Sequence, residues 1–267
     1  MKKIIASFLL VTAAAFSPLV AQAGVSLSVN IAPPPLPVYA QPPMPGDGYM
    51  WTPGYWGWDP NNNDYYWVPG TWVLAPYSGA LWTPGYWGWS GGLYIWHGGY
   101  WGTHIGYYGG VNYGFGYGGN GYQGGHWDHG SFNYNRSVNN VGNVRGAHVY
   151  NERVTNVSNN RASFNGGKGG VNMQQSKSDE MISNMPHNGP TAPQANHESA
   201  ARDSQPQRAS FNHGMPPVAA TPEPGKFNAP NVSAARPAAA APRGNSQPRQ
   251  GAPGGGSHGG GSHEEHR

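Results

Sequence analysis

Residues 49–101 read YMWTPGYWGWDPNNNDYYWVPGTWVLAPYSGALWTPGYWGWSGGLYIWHGGYW. Four times here a tryptophan is followed by two residues, a glycine, one residue and a second tryptophan: Trp51-Gly54-Trp56, Trp67-Gly70-Trp72, Trp82-Gly85-Trp87 and Trp96-Gly99-Trp101. Ten of the eleven tryptophans lie in this stretch, together with eight tyrosines. That much aromatic surface is costly to leave in water, so the core of the protein belongs here. Burial must also offset the entropy of ordering the segment, which requires most of the rings to face inward.

Within each copy the tryptophans are an odd number of residues apart, so a regular strand would send them to opposite faces. The pairs between them (Pro53-Gly54, Pro69-Gly70, Pro84-Gly85, Gly98-Gly99) must therefore turn or kink the chain. Pro followed by Gly favours a type II turn, which splays a two-residue hairpin. The polar stretches 59–64, 75–79 and 90–93 are better reversals. Placing Trp58 opposite Tyr65 puts Trp56 opposite Trp67, Trp51 opposite Trp72, and the two Pro-Gly steps against each other. The same rule in the second hairpin pairs Trp89 with Tyr94, Trp87 with Trp96 and Trp82 with Trp101. Facing Pro-Gly steps then mark a bulge or bend in each strand. The middle loop allows Trp72 opposite Trp82, which joins the hairpins. The expected fold is a small all-β module over 49–103, a four-stranded antiparallel meander of Trp-rich repeats.

The flanks differ sharply. Residues 1–23 have Lys2 and Lys3, an apolar run from Ile4 to Phe16 and Ala21-Gln22-Ala23 before Gly24, the pattern of a secretory signal peptide. Ser7, Thr12, Ser17 and Pro18 interrupt the run short of a membrane span, and no later segment is apolar enough for a transmembrane helix. Residues 24–48 read as a Pro-rich extended spacer and 104–135 as a Gly/Tyr-rich irregular extension of the sheet. Residues 136–165 form a Val/Asn segment without a steady period. The Pro/Gly/Ala/His-rich tail, 166–267, has no Trp or Tyr and is expected to be disordered, because it cannot bury enough to offset ordering. Within it Arg208-Ala209-Ser210-Phe211-Asn212 repeats Arg161-Ala162-Ser163-Phe164-Asn165. Biased composition is the simpler explanation, and a docking motif used twice the sharper one.

Charge and cysteine narrow the function. The chain has no cysteine, so it has neither disulfides nor a lipid anchor on Cys, and any folded part stands on packing alone. Residues 24–135 contain no Lys or Arg and four acids, Asp47, Asp59, Asp64 and Asp128. A nucleic-acid binder interleaves its aromatics with cations that meet phosphates, so nucleic acid is not the expected partner. No carboxylate pair or Ser/His/Asp set presents itself, and neither His126-Trp127-Asp128-His129 nor the tail histidines His258, His263 and His266 have strong metal spacing. The chain is expected not to be an enzyme and to carry no catalytic residue, metal or cofactor. A cation-free aromatic surface with Asn and Asp suits a glycan, since rings stack on pyranose faces and amides bond hydroxyls. The residues placed for this are Trp58, Tyr65, Trp89 and Tyr94 at the hairpin ends, with Asn61, Asn62, Asn63 and Asp64 in the first loop. The alternative is self-association, with Gly/aromatic strands pairing edge to edge into a structural assembly.

Tyr-x-Trp-x-Pro-Gly-x-Trp in tandem, after a signal peptide and a Pro-rich spacer, resembles the bacterial YXWGXW-repeat (WXXGXW) proteins. The Gly/Tyr tract 106–117 and the Val/Asn segment are similar to a longer form of that family. The fourth copy departs from the pattern with His97-Gly98 where Val/Thr-Pro stands in the others. The resemblance implies an exported protein, periplasmic or at the cell surface, and brings no catalytic residue with it.

Overall fold

The computed structural model describes residues 27–156 and 160–238. The signal-peptide segment 1–23 and the histidines at 258, 263 and 266 lie outside the described residues. A short strand β1 (Ser28–Val29) precedes two aromatic hairpins. The first comprises β2 (Tyr49–Thr52), β3 (Tyr55–Asp59), β4 (Asp64–Val68) and β5 (Gly70–Leu74). β3 pairs with β4, placing Trp56 opposite Trp67 and Trp58 opposite Tyr65, and β2 pairs with β5, placing Trp51 opposite Trp72. The second comprises β6 (Leu81–Thr83), β7 (Tyr86–Ser90), β8 (Leu93–His97) and β9 (Tyr100–Gly102). There Trp87 faces Trp96, Trp89 faces Tyr94 and Trp82 faces Trp101. Both registers are those the sequence dictates.

Each hairpin arm is interrupted at its Pro-Gly or Gly-Gly step, and the interruption resets the strand's phase. Tryptophans that a regular strand would oppose both turn inward: seven of the eight in the motif are buried, and Trp96 is half-buried. Their cross-strand pairs sit with ring centroids 5.2–5.3 Å apart, tilted or edge-to-face, the geometry favoured by ring quadrupoles. At the kinks the backbones nearly touch. A Cβ on Gly54 would lie 2.3 Å from Trp67 Cζ2 and 2.8 Å from the Gly70 nitrogen. A Cβ on Gly85 would lie 2.5 Å from Trp96 Cζ2 and 2.8 Å from the Gly99 nitrogen. The first tryptophan of each copy therefore lies over the glycine of the copy across the hairpin. The Trp-x-x-Gly spacing records a contact between strands, not a local turn.

Residues 104–156 contribute β10 (Asn112–Gly114), β11 (Tyr117–Gly118), β12 (Gly125–Asp128), β13 (Ser131–Asn135) and β14 (His148–Tyr150). The Gly/Tyr-rich stretch does not extend the aromatic sheets, since β10 pairs with β11 and β12 with β13 in sheets of their own. Its tyrosines bond the second hairpin: Tyr113 donates to the Gly85 carbonyl at 2.6 Å and Tyr117 to the Trp82 carbonyl at 2.8 Å. Further on come β15 (Phe164–Asn165), α1 (Lys177–Ser183), α2 (Ala192–Asp203), a 3₁₀ turn at Gln205–Gln207, α3 (Ala209–Asn212) and β16 (Ala220–Thr221). Among the described residues no helix is long and apolar enough to cross a membrane.

Two expectations are corrected here. The hairpins do not join into one four-stranded meander: β16 lies parallel to β5, while β15 lies parallel to β7 and β1 antiparallel to β8. The hairpins instead meet through side chains. Trp87 donates its indole N–H to the Trp56 carbonyl at 2.8 Å, and Tyr55 stacks on Trp96 at 5.0 Å. A lone antiparallel sheet leaves one face in water, which this many rings cannot accept. Packing hairpin against hairpin removes that face.

The second correction concerns the flanks, for residues 166–238 are woven into the aromatic module. Buried indoles and phenols need polar partners, and the tail supplies them. Trp67 donates to the Ala219 carbonyl at 3.0 Å, Trp101 to Gln194 Oε1 at 2.8 Å, and the Tyr55 and Tyr66 hydroxyls each to a Glu198 oxygen at 3.0 Å. The Pro-rich segment does the same from the other end. It is extended, but Leu36 and Met44 are buried, and Trp56 and Trp72 donate to the Pro35 and Pro42 carbonyls.

α2 carries a buried histidine in this seam. His197 donates from Nε2 to the Pro69 carbonyl at 2.9 Å and accepts the Gly225 N–H at Nδ1, also at 2.9 Å. Burial pushes its pKa down to about 4 from 6.5, against the smaller upward pull of the Pro69 hydrogen bond and the Glu198 charge. The unfolded chain therefore binds a proton that the folded chain refuses. Stability is full above pH 6.5, declines as pH falls towards 4, and has then lost about 3 kcal/mol from this group. Urea unfolding at pH 7 and pH 4.5 should show that loss in the wild type and much less of it in His197→Gln, whose amide retains a donor and an acceptor. Equal acid sensitivity in both proteins would exclude His197 as its source.

Candidate functional site

The loop expected to carry the binding amides, Asp59 to Asp64, closes the first hairpin with Asp59 opposite Asp64. Asn63 takes a left-handed conformation, φ 49°, which asparagine tolerates and the reversal needs. Asp59 is buried beneath the loop as its organiser. Its Oδ1 accepts the Asn61 N–H at 3.0 Å, its Oδ2 accepts the Asn62 amide, and the Arg208 guanidinium lies 3.6 Å away. Asn61, Asn62 and Asn63 are left exposed, and Asp64 accepts the Ser210 hydroxyl at 2.6 Å.

The rings assigned to this site lie elsewhere than an open platform requires. Trp58, Tyr65 and Tyr94 are buried. Trp58 meets Tyr65 edge-to-face at 4.8 Å, Tyr65 donates to the Ile31 carbonyl at 2.7 Å, and Tyr94 packs on Phe164 at 5.0 Å. Trp89 is 39 % exposed, yet the chain at Gly166-Gly167 runs across it so closely that a Cβ on Gly167 would come within 3.0 Å of its Cγ. The segments 27–36 and 160–167 cover the hairpin ends that the aromatic module alone would leave bare.

An exposed ring does stand beside the loop, and it comes from the tail. Phe211 is 58 % exposed and lines an open depression with Asn62, Asp64, Gln205, Arg208 and Ser210. It belongs to the second copy of the pentapeptide Arg-Ala-Ser-Phe-Asn, whose repetition was the available signal. The two copies differ in form. Phe164–Asn165 of the first copy is a strand along Trp87–Gly88, with Arg161 donating to the Leu36 carbonyl at 3.2 Å and Ser163 to the Pro34 carbonyl at 2.6 Å. Ala209–Asn212 of the second copy is a helical turn beside the first hairpin. Identical residues thus dock on each hairpin in different conformations, so the repeat marks two contacts, not one repeated unit.

The histidines flagged in the sequence sit apart from this depression. His126 and Asp128 belong to β12, and Asp128 pairs with His129 at 2.6 Å on the surface. Among the described residues no three His, Asp or Glu side chains gather where they could hold a metal ion. The depression offers hydrogen-bond donors and acceptors around one ring, which is chemistry for holding a ligand.

No curated protein and no solved structure matches the chain. A family model of the WXXGXW repeat does match, in two copies over residues 46–73, the span of the first hairpin. The third and fourth copies reproduce the same cross-strand register and the same glycine contacts. What the match shows is the WXXGXW repeat itself, carried in two copies by the first hairpin of this chain.

Proposed function

We propose that this is an exported, non-catalytic protein of the cell envelope that binds a glycan at the tip of its first hairpin. The observation that carries the reading is Phe211, an exposed ring beside the amides of Asn62 and Gln205, the Asp64 carboxylate and the Ser210 hydroxyl. A pyranose presents a C–H face to such a ring and hydroxyls to its rim. Export is supported by the basic, apolar and small-residue order of residues 1–23. Edge-to-edge self-association has less support, because β1, β15 and β16 occupy edges that such pairing would use.

Retention of the full chain on immobilised cell-wall polysaccharide tests the reading. Phe211→Ala combined with Asn62→Ala should reduce retention at least tenfold while near-ultraviolet circular dichroism stays unchanged, since both side chains are at the surface. Light scattering should show a species that does not grow with concentration and shifts only when glycan is added. Unaltered retention of the double variant, or growth without glycan, would remove the basis for this function.

A further inference from the structure

A second cleft lies at the kink of the first hairpin, beside Gly54, between the Pro-rich segment and the Gly/Tyr tract. Its walls include Tyr39, Trp67 and Phe115, and its rim includes Asn112, Asn160 and Arg161. At about 250 Å³ it is just below the ordinary range for ligand clefts, so it suits one sugar ring better than a chain. Phe115 is held there at a cost. Four non-glycine residues among those described have positive φ, and three are Asn or His. The fourth is Phe115, at φ 51°, between Gly114 and Gly116, which are also positive. A bulky L-residue is strained in that region, and strain of this kind collects where the surrounding structure fixes a side chain for a task. Here it holds the ring 5.4 Å from Tyr39 and 5.5 Å from Trp51, half-buried, with part of its surface open to the cleft.

The charge is equally specific. Arg161 is the one charged side chain among the residues lining the cleft, in contact with an aromatic segment, 24–135, that has no cation of its own. Its guanidinium is oriented by a hydrogen bond from Nη1 to the Leu36 carbonyl. A guanidinium fork held in place is suited to a carboxylate, which it can bond through two parallel N–H groups. We propose that this cleft binds a pyranose bearing a carboxylate, with the sugar face on Phe115 and Tyr39 and the carboxylate on Arg161. The site is separate from the hairpin tip and does not depend on the reading given for it.

Calorimetry on the full chain with trigalacturonate, set against a neutral trisaccharide of glucose, provides the test. The acidic sugar should bind at least tenfold more tightly than the neutral one. Arg161→Gln should remove that preference, Arg161→Lys should restore part of it, and Phe115→Leu should weaken both sugars. Near-ultraviolet circular dichroism identifies a variant that has lost its fold, in which case the wild-type preference and its loss in high salt stand as the measurement. Equal binding of the two sugars, no binding of the acidic one, or full affinity in a folded Arg161→Gln protein would overturn the proposal. Binding lost in Phe211→Ala and kept in Arg161→Gln would also overturn it, while sustaining the tip as the glycan site.

Discussion

Cutting the chain after residue 165 is expected to destroy the aromatic module rather than trim it. The removed part supplies the acceptors for the Trp67 and Trp101 indoles and for the Tyr55 and Tyr66 phenols. It also supplies Gln207, which donates to the Trp67 carbonyl at 3.1 Å, and the Ala219 carbonyl, which accepts the Gly70 N–H at 3.1 Å. Asn188 exchanges both backbone hydrogen bonds with Trp101 at 2.8 Å, and Thr221 donates to the Thr71 hydroxyl at 2.9 Å. Each such bond is worth about 1 kcal/mol net, and a typical domain has only about 5–15 kcal/mol in hand. The cut also exposes the faces of Tyr55, Tyr66 and Trp67 that α2 and the 218–221 segment cover, a hydrophobic loss added to the polar one. Near-ultraviolet circular dichroism of the truncated chain should fall to the level of the urea-unfolded protein. A truncated chain with the full wild-type signal would show that residues 49–101 are self-sufficient.

The hairpin registers were legible because two constraints agreed. Reversals had to fall at polar loops, and only one register then paired tryptophan with tryptophan in both hairpins. The relation between hairpins was not legible, because nothing in the loop at 75–79 distinguishes pairing by hydrogen bonds from packing by side chains. The tail was misread because its content was judged by apolar surface alone. Ala219, Gln194 and Glu198 matter here as partners for the N–H and O–H groups of buried rings, a demand that the count of tryptophans and tyrosines already implied. Helix-start signals were also present. Asp179 follows Ser176 by three residues and their side chain and backbone groups bond reciprocally, while Gln194 accepts the Thr191 N–H at 2.9 Å. At the candidate site the loop amides of Asn61, Asn62 and Asn63 are exposed, whereas the rings placed beside them, Trp58 and Tyr65, are buried. Trp58 and Tyr65 lie at a hairpin end, where the module by itself buries least, but the chain around Ile31 covers them, whereas Phe211 is visible in the sequence only as part of the repeated pentapeptide.

The glycines of the motif make the sharpest test of how it works, and the fourth copy offers a control one residue away. Gly98 and Gly99 are adjacent, and neither has a positive φ. A Cβ on Gly98 would meet nothing within 4 Å. A Cβ on Gly99 would lie 2.5 Å from Trp82 Cζ2 and 2.8 Å from both the Gly85 nitrogen and the Thr83 carbonyl oxygen. Two of those three atoms are backbone, and the third belongs to a tryptophan packed on Trp101, so none can yield cheaply. Gly99→Ala should therefore cost about 3 kcal/mol or more, at or beyond the upper end of ordinary overpacking. Gly98→Ala should lie between neutral and about 1 kcal/mol stabilising, because it only reduces the freedom of the unfolded chain. Narrowing the opposing ring should return part of the loss, so Gly99→Ala with Trp82→Phe should be less destabilised than the two single changes added together. Urea midpoints measured by tryptophan fluorescence would give all four values. Equal costs at 98 and 99, or strict additivity with Trp82→Phe, would mean that the motif glycine is not there to receive the ring of the copy across the hairpin.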